Sequence, residues 1–208
     1  MVRAAALVAG DETRLRALLD SVYFKEIPNF ELAAVISCEK NSAAMRRATS
    51  SGIPAFMVDP DLFPTNDSYT LAVSNKLSDM DIDLVILAGW TLPLGIIAYK
   101  YKNRTIGTFP SLIPAFQTEN VFRSILERGV KITGATAYFA DEEGNVGNII
   151  LQKAVDVAQN DTPETLALRV FDEGEKIILP LAIGLFCSGR LGLHGRRVVI
   201  TEVPKSDA

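Results

Sequence analysis

The chain has 208 residues, 48% of them hydrophobic, with 21 lysines and arginines against 25 aspartates and glutamates for a formal net charge of −4. That length supports one sizeable core and a single domain over residues 1–208, and a weakly acidic balance without a dense basic block speaks against nucleic acid as a partner. Two distant cysteines, Cys38 and Cys187, and one histidine, His194, exclude a His-rich metal cluster and speak against a disulfide framework, which suits a reducing cytoplasm. The longest uncharged stretch, residues 84–99, is shorter than the roughly 20 residues of a membrane span and is broken by Gly89, Pro93 and Gly95. Asp11 and Glu12 follow the first apolar run at once, so no export signal is read there.

Residues 4–9 form an apolar run ending in Gly10, and Leu15, Leu18, Leu19 and Val22 then recur at helical spacing, which predicts strand, turn and helix. Residues 30–38 predict a second strand, and residues 42–51 a helix stopped by Gly52 and Pro54. A short strand over 55–58, a helix over 66–79 and a strand over 83–90, apolar enough to be buried on both faces, continue the alternation. Such alternation predicts a parallel sheet with right-handed crossovers. A short helix over 94–101, a strand over 105–109, a proline-bounded loop over 110–114 and a helix over 120–128 ended by Gly129 follow. The strands predicted over 132–140 and 148–157 flank an acidic, Gly-containing turn and read as an antiparallel pair. Thr162 and Pro163 read as N-cap and first residue of a long helix reaching Ser188, with Pro180 as its expected kink or break. The tail predicts two short strands around Gly195. With no repeat or linker, these elements predict one open α/β sheet.

Ligands of such sheets bind beyond the carboxyl ends of the strands, which directs attention to residues 10–14, 89–94, 107–114 and 141–148. The first of these loops offers Gly10, Thr13 and Arg14 but also two acids, which repel phosphate. Trp90, Phe109, Phe116 and Phe122 read either as core or as the lining of an apolar pocket. Cys38 lacks a histidine to act as its base, and Glu39 offsets Lys40 beside it. Cys187 reads as buried and inert. Asp141, Glu142 and Glu143 read first as a solvated turn.

The stretch TIGTFPSLIP at residues 105–114 resembles the NIHPSLLP signature of the folate-dependent formyltransferases, with Pro110, Ser111, Leu112 and Pro114 matching. ITGATAYFA at 132–140 resembles the family's TGATVHFV-type strand, and NIILQKAVDV at 148–157 resembles the strand after its aspartate. LVILAGW at 84–90, DTPETLALRV at 161–170 and Glu175 extend the similarity over nearly the whole chain, which resembles the phosphoribosylglycinamide formyltransferases of purine synthesis. The resemblance implies a Rossmann-like open sheet, mostly parallel with an antiparallel C-terminal part. It also implies formyl transfer from 10-formyltetrahydrofolate to the amine of glycinamide ribonucleotide, using an Asn, a His and an Asp around a tetrahedral intermediate.

At the matched positions this chain carries Gly107, Phe109 and Asn145. Glycine offers no side-chain donor, phenylalanine carries no proton and asparagine lacks charge and basicity, so these positions supply no catalytic residue. The strand-end cavity is expected to hold no titratable side chain where protons would be shuttled. On the substrate side the resemblance places Gly10, Thr13, Arg14 and Glu175, where only Gly10 survives from the family's small-residue phosphate loop. On the folate side it places Gly89, Trp90, Leu92, Leu94 and Asn145, with the family's arginine replaced by Leu92 and its later glycine and histidines falling within residues 118–122. His194, in the tail, is not expected to rescue the chemistry.

The favoured expectation is a cytoplasmic paralogue with transfer chemistry lost or severely weakened, kept for a binding, regulatory or assembly role. Two alternatives stand beside it: an active formyltransferase on glycinamide ribonucleotide or another amine, and a non-catalytic partner subunit. A nucleotide or folate-like small molecule is the expected ligand, with no metal, nucleic acid or membrane. No bound cofactor is expected, and 10-formyltetrahydrofolate enters as cosubstrate only if activity persists. A homo-oligomer or pairing with an active homologue is the expected assembly.

Overall fold

A computed structural model describes residues 1–10, 13–40 and 42–202. Its centre is a seven-stranded sheet in the order β3-β2-β1-β4-β5-β6-β7. Strands β1 (Val2–Val8), β2 (Phe30–Ser37), β3 (Ala55–Met57), β4 (Leu84–Leu87) and β5 (Thr105–Phe109) run parallel, while β6 (Ile132–Ala140) and β7 (Val146–Asp156) complete an antiparallel edge. A separate hairpin, β8 (Leu191–His194) and β9 (Arg197–Ile200), forms the tail. Fold class and strand polarity match the sequence reading.

The continuous apolar runs of β1 and β4 follow from burial on two faces. Ala4, Ala6 and Val8 point into one core with Leu84 and Ile86, and Ala5 and Leu7 point into the other with Val85 and Leu87. Helices α1 (Thr13–Tyr23), α2 (Ala43–Ser50), α5 (Val121–Arg128), α6 (Pro163–Val170) and α7 (Lys176–Cys187) cover the first face. Helices α3 (Asn66–Asp79) and α4 (Ile96–Lys100) cover the second through Tyr69, Val73, Leu77 and Ile97. Fully burying one such Leu or Ile contributes about 1.5–3 kcal/mol. A one-residue register slip in β1 would exchange its two faces.

Two expected elements differ in detail. The strand predicted over 83–90 ends at Leu87, because Gly89 adopts φ 87° and turns the chain toward the strand-end loops. The helix predicted through Ser188 changes winding at a π-helical turn, Phe171–Glu175, and Pro180 lies inside the continuous α7. Gly174 in that turn approaches β6 so closely that a Cβ there would lie 2.8 Å from Ala135 Cβ. The helix starts as its sequence dictates. Thr162 Oγ1 accepts from the Thr165 amide, Thr165 Oγ1 accepts from the Thr162 amide, and Pro163 takes a position needing no amide donor.

The β6–β7 hairpin leaves no room for a side chain at Gly134. A Cβ on Gly134 would stand 2.0 Å from the Lys153 carbonyl oxygen and 2.8 Å from Leu112 Cδ2, so backbone would have to move to accept one. Gly134→Ala is therefore expected to lower stability by at least about 2 kcal/mol in urea unfolding. A change below about 0.5 kcal/mol would contradict this packing.

Candidate functional site

The strand order reverses between β1 and β4, so the loops leaving these two strands diverge and open a crevice at their carboxyl ends. A cavity of about 850 Å³ lies there, extended by the end of β5 and the β6–β7 turn. Its lining includes Arg14, Trp90, Thr108, Phe109, Tyr138 and Asn145.

Arg14, in the first turn of α1, reaches across to Glu175 at the end of the π-helical turn. Its Nε donates to Oε1 at 2.9 Å and its Nη2 to Oε2 at 3.0 Å, while Thr108 Oγ1 donates to Oε1 at 2.7 Å. Glu175 is 3% exposed, so this bidentate pair works with little water to screen it. The three residues tie α1, β5 and the π-helical turn together behind the cavity. Both carboxylate oxygens of Glu175 are thereby engaged by the protein itself.

Gly107 and Tyr138 are cross-strand partners in β5 and β6. A Cβ on Gly107 would lie 3.0 Å from both Tyr138 Cζ and Oη, so the absence of a side chain at 107 is what lets the phenol lie over β5. Burial pushes the Tyr138 phenol up to about 12. The cavity wall also carries the exposed carboxylate Glu119, from the segment before α5, while Tyr138 is a buried titratable side chain. Protonated throughout the neutral range, it can donate a hydrogen bond but cannot act as a base.

Asn145 lines the cavity, and Asp141 shapes its turn: the Asp141 carboxylate accepts from the amides of Glu143 at 3.1 Å and Asn145 at 2.7 Å. Glu142 pairs with Lys102. This acidic run is thus a self-bonded turn. Its Gly144, at φ 85°, rests on Leu94, where a Cβ would come within 3.1 Å of Leu94 Cβ. Leu94 is consequently buried beneath the turn, and Leu92 packs into the second core, so Gly89, Trp90 and Asn145 are the folate-side candidates that reach the cavity. On the substrate side Arg14 lines it, whereas Gly10 and Thr13 do not and Glu175 stands behind Arg14 and Thr108. Asp11 and Glu12 lie outside the described residues.

Of the four aromatics, Trp90 and Phe109 line the cavity, while Phe116 and Phe122 pack against the first core. The Trp90 ring stacks on Tyr69 at 6.3 Å and 7°. Cys38 is no nucleophile: burial and neighbouring Glu39 push its thiol up, its Sγ donates to the Val8 carbonyl, and Lys40 pairs with Asp59 at 3.0 Å. Burial pushes Cys187 up to about 11. His194 sits in the tail hairpin, outside the cavity wall. Among the described residues no group of three or more His, Cys, Asp or Glu could hold a metal ion, and no helix is long and apolar enough to cross a membrane.

The sequence reading missed Tyr138 and Thr108. Thr136 it also passed over, although this buried hydroxyl donates to the Ser111 carbonyl at 2.7 Å and accepts from the Ile113 amide at 3.2 Å, pinning the loop after β5. The available signal for Tyr138 was a single phenol in a strand of otherwise small and apolar side chains. Its position opposite Gly107 needed the strand register.

Two stability measurements probe this geometry. Arg14→Met should cost about 2–3 kcal/mol by leaving a buried carboxylate short of its partner, and adding Glu175→Gln should recover part of that loss. Additive losses in the double variant would contradict a coupled pair. Gly107→Ala should cost about 1–3 kcal/mol, with a smaller penalty in a Tyr138→Leu background; equal penalties would show that the phenol is not the obstacle.

Comparisons with known proteins place this geometry. The formyl transferase sequence profile matches residues 2–183. The chain is 35% identical to the bovine (Bos taurus) trifunctional purine biosynthetic protein adenosine-3 over 96% of its own length, but spans only 20% of that relative. It is 30% identical to the phosphoribosylglycinamide formyltransferase of Haemophilus influenzae, covering 99% of this chain and 98% of the other. The crystal structure of glycinamide ribonucleotide transformylase 1 from Symbiobacterium toebii superposes with a TM-score of 0.92 at 38% identity, covering 97% of this chain and 95% of that one. With a matching profile over residues 2–183 and a shared fold over nearly its whole length, the chain belongs to the formyl transferase family.

Proposed function

We propose that this protein is a formyltransferase-fold paralogue whose transfer chemistry is lost or severely weakened, and that its strand-end cavity serves to bind a small ligand in a regulatory or binding role. The observation that carries this reading is the end of β5 and the β6–β7 turn, where Phe109 and Asn145 line the cavity and Gly107 lies against Tyr138, the three residues at the positions matched by the resemblance. Acyl transfer to an amine needs a donor for the oxyanion and a group that takes the amine's proton. Tyr138 supplies a donor, Asn145 an amide, and neither is a base near neutral pH; the carboxylate that lines the cavity, Glu119, stands on the exposed segment before α5, away from the β5 and β6–β7 positions to which the resemblance assigns the transfer chemistry. Losing one oxyanion donor alone commonly costs about 10²–10³ in rate.

What remains suits binding. Arg14 brings a guanidinium to the wall, Thr108 and Tyr138 bring hydroxyls, and Trp90 and Phe109 bring flat apolar surface. That set fits an anionic or acceptor-bearing molecule with an aromatic part, as nucleotides and folates have. No tightly held cofactor is required by this reading, and two free cysteines suit a reducing, cytoplasmic setting.

A second reading, weak residual transfer to glycinamide ribonucleotide or another amine with 10-formyltetrahydrofolate as cosubstrate, is favoured by one feature. The Tyr138 phenol lies beside position 107 and could donate to an oxyanion.

Incubation with glycinamide ribonucleotide and 10-formyltetrahydrofolate separates the two. The expected result is no tetrahydrofolate release above a heat-killed control at high protein concentration, together with a rise in melting temperature for at least one member of a folate and nucleotide panel. Turnover would overturn the proposal, and a flat panel would remove its binding part. The combined Gly107→Asn, Phe109→His and Asn145→Asp variant is expected to stay inactive, because Tyr138 occupies the space beside position 107 and the phosphate and folate loops are also altered.

A further inference from the structure

A second concavity, about 650 Å³, runs between α1 and α7 on the outer surface of the first helical layer and shares no lining residue with the strand-end cavity. Its walls are apolar and open to solvent: Phe24 is 69% exposed, Leu181 56% and Ile177 43%. Three large apolar side chains exposed along one groove are more than the scattered single residues of an ordinary surface. Tyr23 and Phe24 meet edge-on at 5.2 Å just beside it, a stiff aromatic projection at the end of α1. Gly184, with no heavy atom nearer than 3.9 Å to a Cβ placed on it, leaves a notch in the opposite wall.

The charges on the rim say what fits. Asp20 and Glu26 stand on the α1 side, Lys176 on the α7 side with Arg190 at its end. Asp20, Glu26 and Lys176 make no ion pair among the described residues, and the Arg190 Nε donates to the Thr201 carbonyl at 2.8 Å. A partner of one charge sign would satisfy one wall and be repelled by the other. A copy of the same groove, turned by a two-fold axis through its centre, sets the acidic wall of each molecule against the basic wall of the other.

We propose that the α1–α7 groove is a two-fold, self-complementary interface with a second copy of this chain. The Tyr23–Phe24 projection of each copy packs toward the notch at Gly184 of the other, and Asp20 faces Lys176 across the axis. The assignment is independent of what the strand-end cavity binds.

Sedimentation velocity over about 1–300 μM covers the affinities of such an interface. A concentration-dependent monomer–dimer equilibrium is expected. Leu181→Glu, at a position 56% exposed, should weaken it at least tenfold with the circular dichroism spectrum and melting temperature of the monomer unchanged. Asp20→Lys should also weaken the dimer, and the Asp20→Lys, Lys176→Asp double variant should regain most of the loss. A monomer over the whole range, a dimer indifferent to Leu181→Glu, or a double variant no tighter than Asp20→Lys alone would each overturn the proposal.

Discussion

The antiparallel pairing of β6 with β5 sets Tyr138 opposite Gly107, and the cavity takes its character from that contact. A side chain at 107 and a phenol at 138 compete for one volume. With glycine at 107 the phenol lies over the strand, buried enough that it keeps its proton far into the alkaline range. The place from which a side chain of β5 could act is therefore occupied by a neutral donor belonging to β6. Residues far apart along the chain belong to one packing arrangement.

Behind the same wall, Glu175 shows how a charged group can be buried and still be stable. The π-helical turn carries it inward, Gly174 lets that turn press against β6, and Arg14 with Thr108 satisfies its two oxygens. Removing water from a carboxylate costs several kcal/mol unless such partners are supplied. Here they come from α1 and β5, the elements that also line the cavity. The guanidinium that pairs with Glu175 is also part of the cavity wall. The arrangement differs from the adjacent acidic turn, where Asp141 caps its own backbone and Glu142 pairs with Lys102 at the surface.

Membership of the formyl transferase family and the chemistry of this chain are separate statements. The family is carried by the strand order, the loop after β5 and the hairpin that follows, all of which depend on small residues and hydroxyls such as Gly134 and Thr136 that fix backbone positions. The chemistry is carried by a few side chains at strand ends, which can change without disturbing the sheet. Thr136 holds the loop after β5 in place through Ser111 and Ile113, beside Phe109 at the strand end.

Much of this was legible along the chain because it rests on local rules. Short apolar runs gave the strands, Thr162 and Pro163 marked a helix start, Gly129 marked a helix end, and the signature loop with its flanking strands gave the family. The boundaries that failed are those set by partners elsewhere in the fold: the early end of β4 at Gly89, and the π-helical turn forced by the approach of Gly174 to Ala135. The site divides in the same way. Sequence alone determined that Gly107, Phe109 and Asn145 are the residues at the end of β5 and in the β6–β7 turn, since identity is a local fact. Only the tertiary structure decided that Tyr138 lies against Gly107, that Arg14 holds Glu175 from 161 residues away, and that Leu94 lies beneath Gly144, because contact between distant segments is fixed by strand register and packing rather than by any spacing along the chain.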